Sequence, residues 1–511
     1  MCGILFSNDP QLSEERFKKS LDKMNHRGPD YSGFLESGKF KLGHTRLKII
    51  DLDDRSNQPM LSSCKRYAII FNGEIYNFQE LKKKHALKTK TSSDTEILLL
   101  LYIKLKDKIL NELNGMFAFI ILDTSTGSYF VARDRLGVKP LYYCRNKENI
   151  YFSSEISPLL DFIKSNEIDN LGLRQYKKFR TFFNQRTLYK LIKVFPSGYF
   201  FDGRNFIQYW QYQIKDEKQL NIEELYDLLL SAIELRCLSD VPVGSFLSGG
   251  LDSTLITALS GIKRTWSVGF ADLNEFNWAE IASKNLDTKQ TNITINNEEF
   301  IELSKNMINK RKEPLSVPNE TLLFKLSKKI KPENTVVLSG EGADELFFGY
   351  SRIFSYFRNN EFDLRHFDKL YSYGSHDDEE IIEDVISPYQ NKYSNAIDII
   401  ASFFQTAHLH GLLRRLDNSS MFASIEARTP FVDYRIVELM SGVRYEDRVI
   451  KDEFKFPLKK IADKYTNLPN KLIYRPKVGF PVPLNQIFEL GQLGNGYDYW
   501  LKFNLNQLGI N

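Results

Sequence analysis

Long apolar runs are missing from this sequence. None of its 511 residues sits in a stretch near the roughly 20 apolar residues that span a bilayer, and the longest buried-looking run, 116–122, is strand-sized. No membrane partner is therefore expected. Cysteine is scarce: Cys2, Cys64, Cys144 and Cys237 are scattered and form no CxxC pair, which argues against a disulfide framework and a cysteine zinc site. Charge of one sign is also lacking. Against 69 basic residues stand 65 acidic ones, a net +4 with no basic block, so nucleic acid is not an expected partner. The opening MCGILFSNDP has no basic stretch, long apolar core or cleavage site of a secretory signal, and with so few cysteines a reducing cytoplasm is the expected location. Internal repeats, low-complexity tracts and the GxxxxGK[ST] phosphate loop are absent as well. What is present, 42% hydrophobic and 26% charged residues, is the balance of a globular protein. The length calls for two or more domains.

The pattern changes along the chain. Residues 67–71, 116–123 and 128–132 read as strands, the last two joined by the turn Thr124-Ser125-Thr126-Gly127. Residues 94–105 carry helical spacing behind a Ser92-Ser93-Asp94 cap. The first half thus reads as α+β with antiparallel sheets. From about Asn221, helix 222–238, strand 241–247, helix 253–259, strand 265–270, helix 322–329 and strand 335–338 alternate, which predicts a parallel sheet. The boundary falls between Asp202 and Asn221. Residues 350–410 read as helical and aromatic-rich, without a motif.

Several segments carry chemistry. Cys2 directly follows Met1 and precedes Gly3; removal of Met1 would put the α-amine, with a pKa near 8, beside its own thiol as a built-in base. Alone, Cys2 is equally a small apolar residue at a strand start. Arg46 at the edge of an apolar strand suits a forked grip on a carboxylate. Asn72-Gly73 at a strand end pairs a side-chain amide with an unhindered backbone N–H, the donors of an oxyanion hole. Asp94 at a helix start can hold an ammonium group. Each has a plain reading too: surface arginine, Asn-Gly turn, helix cap.

Five ordered segments, MCGI, NHRGPD (25–30), GHTRLKIIDL, FNGEIYN and SSDTE, together with RDRLGVKPLYY (133–143), resemble the class II glutamine amidotransferase domain at the N-terminus of asparagine synthetases. The likeness implies an N-terminal-nucleophile αββα sandwich over residues 2–205. It also implies Cys2 as nucleophile, Asn72 and Gly73 as oxyanion hole, Arg46 on the glutamine carboxylate, and Glu74 and Asp94 near its amino group.

Ser248-Gly249-Gly250-Leu251-Asp252-Ser253 lies between an apolar strand and a helix. Its glycines let the backbone wrap an anion, the helix start offers N–H groups, and Asp252 can hold Mg2+. It resembles the pyrophosphate loop of ATP pyrophosphatases. Ser339-Gly340-Glu341-Gly342-Ala343-Asp344-Glu345 follows another strand, at the edge where such sheets bind ligands. With SIEARTPFVD (424–433) and RPKVGFPVP (475–483), these segments extend the resemblance to asparagine synthetases over a domain at 215–511, a parallel-sheet ATP-pyrophosphatase fold with extra helices. That likeness implies ATP binding by Leu247, Ser248, Gly249, Gly250, Asp252, Ser253, Val268, Gly269, Ser339, Gly340, Glu341 and Arg428. It further implies Mg2+ on Asp252 and Asp344, Glu341 acting at the adenylated intermediate, and Lys477 neutralising the departing pyrophosphate. The expected partners are glutamine, ATP and an acceptor carboxylate; a homodimer is left open.

The departures fall on the acceptor side: Asp417-Asn418 where the family has Asp-Arg, Asn274-Glu275 for Asp-Glu, and an atypical 312–319. Aspartate is the expected acceptor, with a uronic acid sugar of surface polysaccharide as the alternative. Segments 136–143 and 153–160 are candidates to wall an apolar ammonia passage. A non-catalytic regulator on this fold would need neither Cys2 nor the ATP loop.

Overall fold

A computed structural model describes residues 2–510 apart from 164, 375, 477, 478, 492 and 493. Two six-stranded sheets, with every pairing antiparallel, fill the first 208 residues. One runs Ile192–Val194, Tyr142–Asn146, Asn149–Ser153, Gly3–Ser7, Phe40–Arg46, Tyr31–Ser37. The other runs Phe206–Gln208, Tyr199–Phe201, Tyr129–Arg133, Gly115–Asp123, Tyr67–Ile75, Met60–Leu61. Ile4, Phe6 and Leu42 of the first sheet meet Ile70, Ile120 and Val131 of the second in a dry core. Each outer face is apolar as well, and helices cover both. Phe17, Leu21, Ile156 and Leu159 lie on the first face, and Ile97, Leu98 and Leu101 of Asp94–Leu105 on the second. Strands buried on both faces read as continuous apolar runs, which is why FAFIIL shows no alternation. The layers are αββα.

The second half is built on a five-stranded parallel sheet ordered Lys289–Ile295, Arg264–Phe270, Val243–Phe246, Val336–Leu338, Glu426–Arg428. Helices Ile222–Cys237 and Leu251–Ser260 pack into its main core. Residues 351–421 add helices around a separate aromatic cluster that includes Phe354, Phe367, Phe403 and Phe404. Two strands escape the sequence reading. Lys289–Ile295 is mostly polar (KQTNITI) on an edge of the sheet, and Glu426–Arg428 is three residues long. Among the described residues, no helix is long and apolar enough to cross a membrane.

Charged groups out of water hold the two halves together. Arg27 donates to Asp417 at 2.9 Å and to Glu155 at 3.3 Å, while Lys139 reaches Asp417 at 3.3 Å; all four side chains are buried. Asp433 accepts from Asn114 at 3.2 Å and from Arg236 at 2.9 Å, and the two arginines beside it hold its carboxyl well below the usual carboxylate range against burial. Ser424 donates to the His26 carbonyl at 2.6 Å. Leu47, Ile49, Tyr76 and Met116 of the first half share an apolar cluster with Val336 and Met421 of the second. Asp417, at one of the departures from the family pattern, therefore belongs to the boundary between the halves.

Breaking a buried ion pair from one side leaves its partner charged and dry. Asp417→Asn strands Lys139 and half of the Arg27 network. It should lower the unfolding free energy by about 3 kcal/mol, read as a reduced urea midpoint; an unchanged midpoint would show that the pair contributes nothing.

Candidate functional site

The first site forms where strand ends of the two antiparallel sheets meet. Cys2 precedes Gly3–Ser7 of one sheet and Asn72 lies on Tyr67–Ile75 of the other. The Cys2 N–H donates to Asn72 Oδ1 at 3.1 Å. With its oxygen engaged, the Asn72 amide is oriented, and its buried Nδ2 has no hydrogen-bond partner among the described residues. A buried donor left open beside the thiol residue is what a developing oxyanion requires. Gly73 has φ +151°, and a Cβ there would lie 2.0 Å from the Met116 carbonyl oxygen, so the strand passes close to its neighbour only because this residue is glycine.

A small pocket gathers Cys2, Arg46, Gly73, Glu74 and Asp94, with Gln58 beside them. The Arg46 Nη1 donates to the Asp53 carbonyl at 2.9 Å and Asn57 Oδ1 at 2.8 Å, and its Nη2 to the Asp51 carbonyl. The 50–57 loop thereby fixes the guanidinium plane, the fork that suits a carboxylate. Asp94 accepts from the Ile75 N–H at 2.9 Å, and burial pushes its carboxyl up to about 6. Burial likewise raises Glu74, helped by Glu426 and Asp94 and opposed by Arg428. It also raises the Cys2 thiol, against the pull of the Leu47 N–H and Arg46. One cationic fork and two acids around a thiol match an α-amino acid in its zwitterionic form.

The second site lies at the C-terminal edge of the parallel sheet, where open α/β sheets take ligands. Gly249 has φ +77°, and a Cβ there would sit 2.3 Å from the Trp278 carbonyl carbon. Ser248 and Ser253 hydroxyls lie 3.2 Å apart, and the Gly250 N–H donates to Ser248 Oγ at 3.3 Å, at the head of helix Leu251–Ser260. A Cβ on Gly340 would come within 2.9 Å of the Ser253 nitrogen, so the 248–253 and 339–345 loops touch through backbone. Between them the Lys455 ammonium sits 2.6 Å from Asp252 and 2.5 Å from Asp344. Two carboxylates gathered on one cation are a fitting donor set for a hard divalent ion, so these residues fit Mg2+. Glu341 accepts from Arg415 at 2.6 Å, and Arg415 also reaches Asn319 at 3.3 Å.

Not every expected residue belongs to that crevice. The Arg428 guanidinium is fully buried and donates to Glu426 at 2.6 Å and to the carbonyls of Arg236 and Leu238 at 2.8 and 2.7 Å, with Glu74 3.7 Å away. The resemblance set Arg428 beside ATP; in the structure its Nε and Nη1 are engaged at the boundary between the halves. Leu247 and Val268 send their side chains into apolar cores, so only their backbone is left for a ligand. Gly269 lies near the end of Arg264–Phe270, packed on Asn274. Lys477 lies outside the described residues. Glu313, in the atypical segment, is buried 3.6 Å from Arg311. Of the candidate passage wall 136–143, Leu136 packs with the core of the parallel-sheet half.

Sequence reasoning missed Lys455 and Arg415, and it gave no role to Arg475 of the 475–483 segment, which contacts Glu275 and the Gly249 carbonyl. The single local hint was conformational, since Lys455 holds φ +56°, rare for a non-glycine residue.

An N-terminal thiol between antiparallel sheets, joined to a phosphate-type loop on a parallel sheet, defines a glutamine amidotransferase with a nucleotide-using partner domain. The glutamine amidotransferase domain family matches residues 1–211, and the asparagine synthase family matches residues 224–502. Asparagine synthetase [glutamine-hydrolyzing] 1 of Bacillus subtilis is 30% identical, covering 99% of this chain and 89% of the relative. A putative asparagine synthetase [glutamine-hydrolyzing] 2 of Methanocaldococcus jannaschii is 34% identical over 68% of this chain and 76% of its own. Asparagine synthetase [glutamine-hydrolyzing] of Asparagus officinalis is 27% identical over 94% and 77%. The chain belongs to the asparagine synthetase (glutamine-hydrolysing) family.

Two outcomes follow for the thiol pocket. Asn72→Ala removes the open donor and should cut the glutaminase kcat about 100- to 1,000-fold, while synthesis from free ammonia continues; equal loss of both would displace Asn72 from that role. An acid raised to about 6 is neutral below that pH and anionic above it. The KM for glutamine should therefore fall as pH rises from 5 to 7 and then level, and Asp94→Asn should flatten that step in the pH profile.

Proposed function

We propose that the chain hydrolyses glutamine at Cys2 and uses the ammonia, with Mg-ATP, to convert aspartate to asparagine. The observation that carries this reading is the apolar cluster that joins the sites. Leu47 and Ile49 line the thiol pocket and also pack with Val336, which opens the strand leading to Ser339. Ammonia in bulk water takes up a proton and ceases to be a nucleophile, so two such sites in one chain need a dry connection.

In the first half-reaction the Cys2 thiolate attacks the side-chain amide of glutamine, and the oxyanion forms against Asn72 Nδ2 and the Gly73 N–H. Collapse expels ammonia as the departing nitrogen takes up the proton that the thiol gave to the Cys2 α-amine; water then hydrolyses the thioester to glutamate and regenerates the thiol. In the second, an oxygen of the acceptor carboxylate attacks the α-phosphorus of ATP and pyrophosphate leaves. A carboxylate is a poor electrophile until that oxygen becomes part of a good leaving group. Ammonia adds to the activated carbon, loses a proton, and AMP departs. Mg2+ held by Asp252 and Asp344 would offset phosphate charge there. The backbone of 248–253 cradles the leaving pyrophosphate at a helix N-terminus. Arg415 holds the Glu341 carboxylate in place beside the crevice.

A second reading, in which the acceptor carboxylate is carried on a sugar ring, is favoured by one feature. Tyr373 and Tyr497 are both exposed, with ring centroids 5.2 Å apart. An open aromatic pair suits a pyranose face better than a small amino acid.

Pyrophosphate release separates the two readings. Cys2→Ala supplied with ammonium and ATP should release pyrophosphate when aspartate is added. Release that responds to a nucleotide-linked uronate and not to aspartate would sink the first reading in favour of the second.

A further inference from the structure

The thiol pocket borrows a charge from the other half of the molecule. Glu74 Oε1 lies 3.7 Å from Arg428 Nη2, beyond hydrogen-bond distance but close enough for a charge pair. Its other oxygen, Oε2, is buried, has no hydrogen-bond partner among the described residues, and belongs to a side chain that lines the pocket. Arg428 is not free to approach or retreat. Its Nε is tied to Glu426 and its Nη1 to two carbonyls at the end of helix Ile222–Cys237, and its guanidinium lies 5.7 Å from the Tyr76 ring centroid. Three anchored bonds hold Nη2 toward Glu74 and leave it without a hydrogen bond of its own among the described residues.

Burial, Glu426 and Asp94 all act to neutralise Glu74, and Arg428 is the largest charge that opposes them. An ionised carboxylate makes the stronger hydrogen bond to an ammonium group. We propose that Arg428, a residue of the parallel-sheet half, is a positioning residue for glutamine: it aims Glu74 so that this carboxylate is shared between Arg428 and the α-amino group of glutamine. The glutamine site is then complete only when the two halves are docked, and the arginine expected at ATP serves the other substrate. The proposal rests on the assignment of Glu74 to the glutamine amino group.

The test uses the full chain and two small molecules, glutamine and glutaramate, which is glutamine without its amino group. Arg428→Met should raise the KM for glutamine about tenfold or more, equivalent to the loss of one charge contact, with kcat changed less than threefold. The competition constant of glutaramate should stay the same, because it has no ammonium for Glu74 to hold. Arg428→Lys should recover most of the lost affinity. If Arg428→Met fails to fold, Glu426→Gln, which loosens the anchor on Nε, should shift the glutamine KM in the same direction by a smaller factor. Glu74→Gln separates the two layers of the argument. If it leaves the glutamine KM unchanged, the assignment of Glu74 itself fails. If it raises KM while Arg428→Met does not, or if Arg428→Met weakens glutamine and glutaramate alike, the positioning role of Arg428 is overturned.

Discussion

A charge removed from water has to meet an opposite charge or hydrogen-bonding partners at fixed distance, and that constraint ties the two halves of this protein into one arrangement. Arg27, Asp417 and Lys139 satisfy it at one place, Asp433 with Arg236 at a second, and Arg428 with Glu426 and Glu74 at a third. Apolar contacts tolerate sliding, because burial depends on area and hardly on direction. Buried ion pairs do not, since a displaced partner leaves a dry charge behind. The apolar cluster of Leu47, Ile49, Tyr76, Met116, Val336 and Met421 supplies the contact between the halves, and the ion pairs supply its register.

Both sites use the same backbone device. At Gly73 and again at Gly249 the chain passes so close to a neighbouring strand or helix that a Cβ would collide with backbone atoms, and in each case the close pass brings functional groups to an edge of a sheet. The sheets then do the positioning. Strand Tyr67–Ile75 carries Asn72, Gly73 and Glu74 in succession, and Asn72 is pinned through the Cys2 N–H before any substrate arrives. A donor already oriented costs no reorganisation when charge develops. In the second site Lys455 gathers Asp252 and Asp344 from the first turns of two different helices, which fixes their spacing in the same way.

Much of the fold was legible because its signals are local. Helix Asp94–Leu105 has the bounds its spacing predicts, with Ser93 accepting from the Thr95 N–H at its start. Strand Gly115–Asp123 and the turn that closes at Gly127 follow from an apolar run and a glycine. Lys289–Ile295 was not legible, since a mostly polar segment becomes a strand only by hydrogen bonding to Arg264–Phe270 along its whole length. Arg428 was read from motif order as an ATP residue, yet motif order says nothing about where a long side chain points once its strand is placed.

The sequence by itself determined the chemical inventory: a cysteine at position 2, an Asn-Gly pair at a strand end, two acid-and-glycine loops that follow strands, and the family that these compose. Residue type and short spacing suffice there, because backbone donors, glycine turns and helix starts act within a few residues. Tertiary structure alone decided the pairings across hundreds of positions. Arg27 meets Asp417, Lys455 meets Asp252, and Arg428 meets Glu74. The physical reason is that an ion pair depends on distance in space, which chain order does not record, and on burial, which exists only once both halves have closed over it.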